Sequence, residues 1–282
     1  MELRKEERVP NVLTIAGIDP SGGAGLLADV KAMSALGVYA AGVPTALTAQ
    51  NTRGVTGVQA ITPEFVRAEL EAVFSDLAID AVKIGMLNDS AVIGEVAGAL
   101  RKYRLRWVVL DPVMVAKSGD RLLRADALDA LRRVLLPCAT LITPNIPEAL
   151  DLLDLPENAI TTRETMSRAA RALQSRFGVP WVLVKGGHLT GEESPDCLAG
   201  PGNALVWFEG KRTPTKNTHG TGCTLSSSIA ARLAYLNDVA QAIQEAKEYL
   251  SVAIAHADEL NAGGGHGPVH HFWSLWNATK CN

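Results

Sequence analysis

Short apolar runs alternate with helix-like segments along most of this chain, and that order leaves few folds open. Residues 11–16, 81–84, 107–110, 140–142 and 181–184 are short and largely apolar. Runs this short, with little polar alternation, read as strands buried on both faces. Between them lie 24–36, 63–77, 90–103, 125–135, 147–153 and 163–177, which have helical length and pattern. Thr62 supplies an N-cap for one of these helices, and Pro63 suits its first position because no N–H is needed there. Residues 42–47 and 55–61 add two strands, 197–198 and 204–208 a hairpin, and 225–236 and 239–260 two closing helices. Strand–helix alternation of this kind predicts an α/β protein with a doubly wound, mostly parallel central sheet flanked by helices on both faces. No linker, charge block or repeat divides the chain, so residues 11–282 read as one domain behind a charged extension at 1–10.

Several predicted strands end in polar or glycine residues: Gly17, Gln50, Gly85-Met86, Asp111, Asn145 and Lys185. Ligands of open α/β sheets bind outside the carboxyl ends of strands. The stretch Lys216-Asn217-Thr218-His219-Gly220-Thr221-Gly222-Cys223-Thr224 enters a predicted helix. The first turn of a helix leaves N–H groups unpaired and carries partial positive charge. Gly220 and Gly222 let that backbone approach a ligand, which makes an anion site. A thiol at Cys223 would meet a pKa-lowering field there, suited to a base or nucleophile. The plainer alternative is a glycine-rich cap followed by a small buried cysteine.

Charge narrows the partners. The 282 residues carry 27 basic and 30 acidic side chains, a net −3. Nothing in that balance calls for nucleic acid or an anionic membrane. Cys138, Cys197, Cys223 and Cys281 form no CxxC pair and read as free thiols of a reducing compartment. No secretory leader and no membrane-length apolar run stands out, so the expected setting is the cytoplasm. Gly23-Ala24-Gly25-Leu26-Leu27-Ala28 fits a dinucleotide fingerprint only weakly, since no acid follows between Asp29 and Glu64. GxxxxGK[ST] is absent, which excludes a P-loop.

Asp111 and Glu148 each follow a predicted strand, and two such acids can organise Mg²⁺ beside phosphate oxygens. Alone, Asp111 could cap a turn and Glu148 could be a first-turn helix acid. Lys185, before two glycines, could hold a phosphate as a point charge, or be a solvated lysine. His219 lacks an evident partner and reads as a loop histidine. His266, His270 and His271 have no zinc spacing.

The motifs TIAGIDPSGGAG (14–25), TALTAQNT (45–52), KIGML (83–87), LDPVMVAKSGD (110–120), LITPNIPEA (141–149), VKGGH (184–188), NTHGTGCTLSS (217–227) and GPVHHF (267–272) occur in order. Together they resemble the hydroxymethylpyrimidine/phosphomethylpyrimidine kinases of thiamine biosynthesis, within the ribokinase-like superfamily. The resemblance implies an ATP-dependent kinase that phosphorylates 4-amino-5-hydroxymethyl-2-methylpyrimidine and then its monophosphate. It implies that Gln50 meets the pyrimidine edge, that Gly17, Met86 and Val113 line the base pocket, and that Asp29 lies close by. Cys223 would be the base, with Gly220, Thr221 and Gly222 completing the anion hole. Asp111 and Glu148 would hold Mg²⁺, and Lys185 and Asn145 would meet the nucleotide. Members are commonly homodimers. A pyridoxal kinase, a non-catalytic metabolite sensor and, more distantly, a Rossmann oxidoreductase remain as rival readings.

Overall fold

The computed structural model describes residues 8–87, 89–114 and 125–276. In chain order the elements are β1 (Asn11–Ile18), α1 (Gly25–Ala35), β2 (Tyr39–Asn51), β3 (Gly54–Ala60), α2 (Pro63–Asp76), β4 (Ile79–Ile84), α3 (Ser90–Tyr103), β5 (Trp107–Leu110) and α4 (Ala125–Ala130). There follow β6 (Leu141–Ile142), α5 (Ile146–Leu153), α6 (Arg163–Phe177), β7 (Trp181–Val184), β8 (Asp196–Ala199), β9 (Leu205–Phe208), α7 (Thr221–Tyr235), α8 (Val239–Ala255) and α9 (Trp273–Trp276). Of the expected extension at 1–10, residues 8–10 lie against the domain: Arg8 pairs with Asp80 at 2.6 Å and Tyr39 N–H donates to the Pro10 carbonyl. Residues 1–7, the 115–120 part of the LDPVMVAKSGD motif and Cys281 fall outside the described residues.

The strands form one sheet in the order β3-β2-β1-β4-β5-β6-β7-β8-β9. Pairing is parallel from β2 through β7, with antiparallel β3 at one edge and the β8–β9 pair at the other. Strand side chains alternate between two apolar cores. Leu13, Ile15, Val82 and Ile84 enter one, with residues of α2, α3, α5 and α6. Val12, Ala81 and Val109 enter the other, with Met33 of α1 and much of α7 and α8. Such burial on both sides is why these strands read as continuous apolar runs.

Most expected elements are present, with instructive shifts. β2 is much longer than expected. Its first half pairs with β1 and its second half with β3, so it leaves the sheet as a hairpin carrying Gln50. The helix expected over 125–135 becomes π-helical at Leu131–Leu135 and tightens to a 3-10 turn at Leu136–Cys138. Pro137 in that turn has no N–H to continue a regular ladder. The last long helix stops at Ala255, before a 3-10 turn at Ala257–Glu259. No described helix is long and apolar enough to cross a membrane.

Candidate active site

The start of α7 meets polar residues at the carboxyl ends of the central strands. Gly220 caps α7 with φ +76°, a left-handed conformation that side chains resist. A Cβ there would also lie 1.8 Å from the Gly23 carbonyl oxygen, so no other residue fits. A Cβ on Gly222 would stand 3.4 Å from both Asp111 Oδ2 and Lys185 Nζ. The glycine thus brings the first turn of α7, with its unpaired N–H groups, close over the ends of β5 and β7.

Cys223 follows in the same turn and is only partly exposed. Burial pushes its thiol up to about 11. Lys83 and the Gly25 N–H pull the other way, while Asp29 and Asp111 add to the rise. The expected pKa-lowering field at the helix start is therefore overruled by desolvation.

Asp111, at the end of β5, is buried. Its Oδ1 accepts from Lys185 Nζ at 2.7 Å and from Thr143 Oγ1 at 2.9 Å. Lys185 Nζ is also 4.0 Å from Glu148 Oε2. Burial opposes charge on this lysine, but the two carboxylates outweigh it and hold its pKa above the ordinary value. Glu148 closes a capping box on α5: its Oε2 accepts from Asn145 N–H, and Asn145 Oδ1 accepts from Glu148 N–H. The structural alternative for Glu148 is thus realised, and Asn145 serves the same cap. Burial, with Asp111 nearby, pushes Glu148 up to about 7 despite Lys185. Among the described residues no three His, Cys, Asp or Glu gather into a metal cage. Two carboxylates sharing one ammonium, with buried negative charge in excess, do suit Mg²⁺, which commonly takes one or two carboxylates and completes its shell with waters and phosphates.

The remaining expected residues have their own neighbours. Gly17 and Met86 are packed so closely that a Cβ on Gly17 would meet Met86 Cε at 2.4 Å. Thr45 Oγ1 donates to the Met86 carbonyl at 2.8 Å and fixes that backbone. Val113 is partly exposed just beyond Asp111. Gln50 reaches in from the hairpin, with its amide nitrogen 3.4 Å from His219 Nε2. His219 Nε2 is 2.7 Å from Asp19 Oδ2 and donates to it. Turning the Gln50 amide over reconciles the group. Its oxygen then faces the His219 N–H, and its nitrogen donates to Thr48 Oγ1, whose own proton goes to the Ile18 carbonyl. Burial disfavours charge on Asp19, but hydrogen bonds from His219 and Ser21 outweigh it and hold its pKa below the usual value.

A family model described as phosphomethylpyrimidine kinase matches residues 19–270. This chain belongs to the phosphomethylpyrimidine kinase family. The hydroxymethylpyrimidine/phosphomethylpyrimidine kinase of Escherichia coli K12 is 52% identical over 266 residues, covering 94% of this chain and 98% of that one. The crystal structure of phosphomethylpyrimidine kinase from Clostridium difficile 630 superposes with a TM-score of 0.77 at 40% identity, covering 87% of this chain and 99% of that one. An ADP complex of Bacillus subtilis pyridoxal kinase gives a TM-score of 0.85 at 33% identity, covering 96% of this chain and all of that one.

Within this family member, the fold brings the Gly220–Cys223 turn to Asp111 and Lys185, with Glu148 and Asn145 beside Lys185. Gly17 packs against Met86, Gln50 meets His219, and Val113 N–H donates to the Asp111 carbonyl. Asp29 is the correction. It was expected beside the substrate, yet it is wholly buried and its carboxylate is taken by Thr14, Lys83 and Ser227. Two polar residues went unassigned, His219 and Lys83. His219 finds its partner Asp19 200 positions away, which hides the pairing from sequence. Lys83 did carry a signal, a charge inside the short run 81–84.

Proposed function

We propose that this chain transfers phosphate from ATP to 4-amino-5-hydroxymethyl-2-methylpyrimidine and then to its monophosphate, giving the diphosphate. The observation that carries this reading is the placement of the Gly220–Cys223 turn against Asp111 and Lys185, with Gln50 meeting His219 immediately before that turn. Phosphoryl transfer demands mainly alignment and charge stabilisation. The N–H groups at the start of α7 face the transferred phosphoryl oxygens, and Lys185 binds the nucleotide phosphates. Asp111 and Glu148 would hold Mg²⁺, which would supply positive charge against those oxygens. Gln50 offers an amide to the ring, with its oxygen and nitrogen set by His219 and Thr48. Gly17, Met86 and Val113 bound the ring on its apolar side. Cys223, in its thiolate form, takes the hydroxymethyl proton as the bond to phosphorus forms and ADP leaves, and is itself left as the thiol. With the thiol pushed up to about 11, only a small fraction is in that form at neutral pH.

Helices on both faces of the sheet are part of the reading, supported by the alternation of strand residues between two cores. A homodimer and a reducing cytoplasmic setting complete it, the latter suited to the free thiols Cys138, Cys197 and Cys223. A pyridoxal kinase is the second reading, favoured by the superposition on the Bacillus subtilis enzyme. The deciding experiment follows ADP release from Mg-ATP with the pyrimidine alcohol, its monophosphate, pyridoxal or ribose, with mass detection of products. Turnover of both pyrimidines with appearance of the diphosphate is expected. Turnover of pyridoxal alone refutes the assigned role of Gln50, and no turnover at all refutes the kinase reading.

A further inference from the structure

Lys83 and Asp29 have no part in the chemistry above, yet they lie directly beneath it. Lys83 of β4 is the register partner of Thr14 on β1. Its Nζ is 2.6 Å from Asp29 Oδ2, and neither side chain has any solvent exposure. Thr14 Oγ1 donates to the same oxygen at 2.6 Å. Ser227 Oγ lies 2.5 Å from Asp29 Oδ1 and 2.6 Å from the Cys223 carbonyl, so its single proton goes to the Asp29 carboxylate or is shared between the two acceptors. Four elements, β1, β4, α1 and α7, therefore converge on one carboxylate, and the link into α7 is one helical turn from Cys223. Gly85 leaves the ammonium its room: a Cβ there would lie 2.7 Å from Lys83 Nζ.

Stability does not account for such a pair. Stripping water from two charges often costs more than their attraction returns, and apolar residues of similar volume commonly serve as well. We propose that Lys83 and Asp29 are positioning residues for phosphoryl transfer: Asp29, neutralised by Lys83, fixes the first turn of α7 through Ser227, and the Lys83 ammonium supplies fixed positive charge behind Cys223. The rate readout of this proposal rests on the kinase reading. The charged groups acting on the thiol are Lys83 from β4, Asp29 from α1, Asp111 beyond β5 and Lys185 beyond β7. Lys83 is the largest of these influences after burial itself, and it favours the thiolate.

The test compares the wild type with Lys83→Met, Asp29→Asn, the double variant and Ser227→Ala. Each is measured for Tm, kcat, KM and the pH midpoint of Cys223 alkylation by iodoacetamide, with the label located by peptide mass. The single changes each strand a buried charge and lower Tm. The double variant restores neutrality, so its Tm returns to within about 5 °C of the wild type. Its kcat stays down by about a hundredfold, the scale of losing one electrostatic contact to a transition state. Its alkylation midpoint moves to higher pH while KM for ATP holds. A double variant that regains wild-type kcat and midpoint overturns the proposal and leaves the pair purely structural. Where the charge variants do not fold, Ser227→Ala decides: it keeps the pair and cuts the link to α7, and kcat falls by roughly tenfold or is unchanged, the latter overturning the proposal. A wild type without pyrimidine-dependent ADP release refutes the kinase reading instead, and the alkylation midpoint still tests the charge assigned to Lys83.

Discussion

A thiol held up to about 11 is almost wholly protonated at neutral pH, so only its small thiolate fraction can act as a base. That fraction matters only in a step in which a proton must leave the acceptor. The first acceptor is a hydroxymethyl group, which needs that help. The second is a phosphate, already ionised. Cys223→Ala is therefore expected to lower kcat for the alcohol by about a hundredfold or more and to affect the monophosphate far less. Single-turnover mixing with each acceptor, followed by product mass, measures both. Equal losses would confine Cys223 to shaping the anion turn. The glycines of that turn were legible because a left-handed cap and a close backbone approach each demand glycine locally. Asp29 was misread for the opposite reason. Near the start of a helix and among glycines it looks ligand-facing, and only Lys83 and Ser227, 54 and 198 positions away, reveal that its carboxylate is occupied inside the protein. Asn145 and Glu148 show a third case, in which the structural role and the proposed ligand role fall on the same side chains.

The elements around the site are held together by the segment that follows α8. Gly265 and His266 N–H groups bond to Thr52 at the tip of the β2–β3 hairpin. Gly267 accepts from His219 N–H and donates to Asn217 Oδ1, which ties the anion loop. His271 then meets Thr224 of α7 at 3.0 Å. Spacing alone gave this stretch no metal pattern, and its role as a strap needed the three-dimensional neighbours. Burial, with Lys31 and His270 nearby, pulls His271 down to about 3. The sign follows directly. A histidine depressed in the fold adds stability above its unfolded pKa of about 6.5 and loses it as pH falls, because the unfolded chain takes up a proton the folded one refuses. Between about pH 6.5 and 5 the loss approaches about 2 kcal/mol. Urea titrations across that range measure it, and His271→Asn is expected to flatten the slope while lowering stability at neutral pH. A wild-type slope unchanged in the variant would mean that other groups set the acid sensitivity. Single elements such as α3 and α6 were legible to the residue, since amphipathic period and capping residues are local. The length of β2 was not, because its second half is held by β3 and not by β1.

At the scale of the whole molecule, strand order was beyond reach of pattern. Which strand lies beside which is set by crossovers that leave no mark in the strands themselves, whereas the alternation of strands and helices did give the α/β class and a mostly parallel sheet. One edge of the sheet is β3. Strand β3 reads Gly-Val-Thr-Gly-Val-Gln-Ala, with no charge and no proline, and exposes Val58 at 48%. Leu47 of β2, also 46% exposed, presents a second apolar group on the opposite face of the hairpin. Sheet edges left without charge, proline or cover pair readily with another chain. The hairpin also carries Gln50, so a second copy docked there would brace the residue proposed to meet the pyrimidine. Light scattering is expected to give the mass of two copies. Val58→Lys places a charge on the exposed hairpin face, and its mass is expected to fall to one copy with Tm nearly unchanged, since the side chain has little packing to lose. If the hairpin needs its partner for rigidity, KM for the pyrimidine rises in that variant while KM for ATP stays, because the nucleotide side is built from β5, β7 and α7. A wild type that scatters as one copy, or a Val58→Lys variant that still scatters as two, removes this edge as the dimer surface.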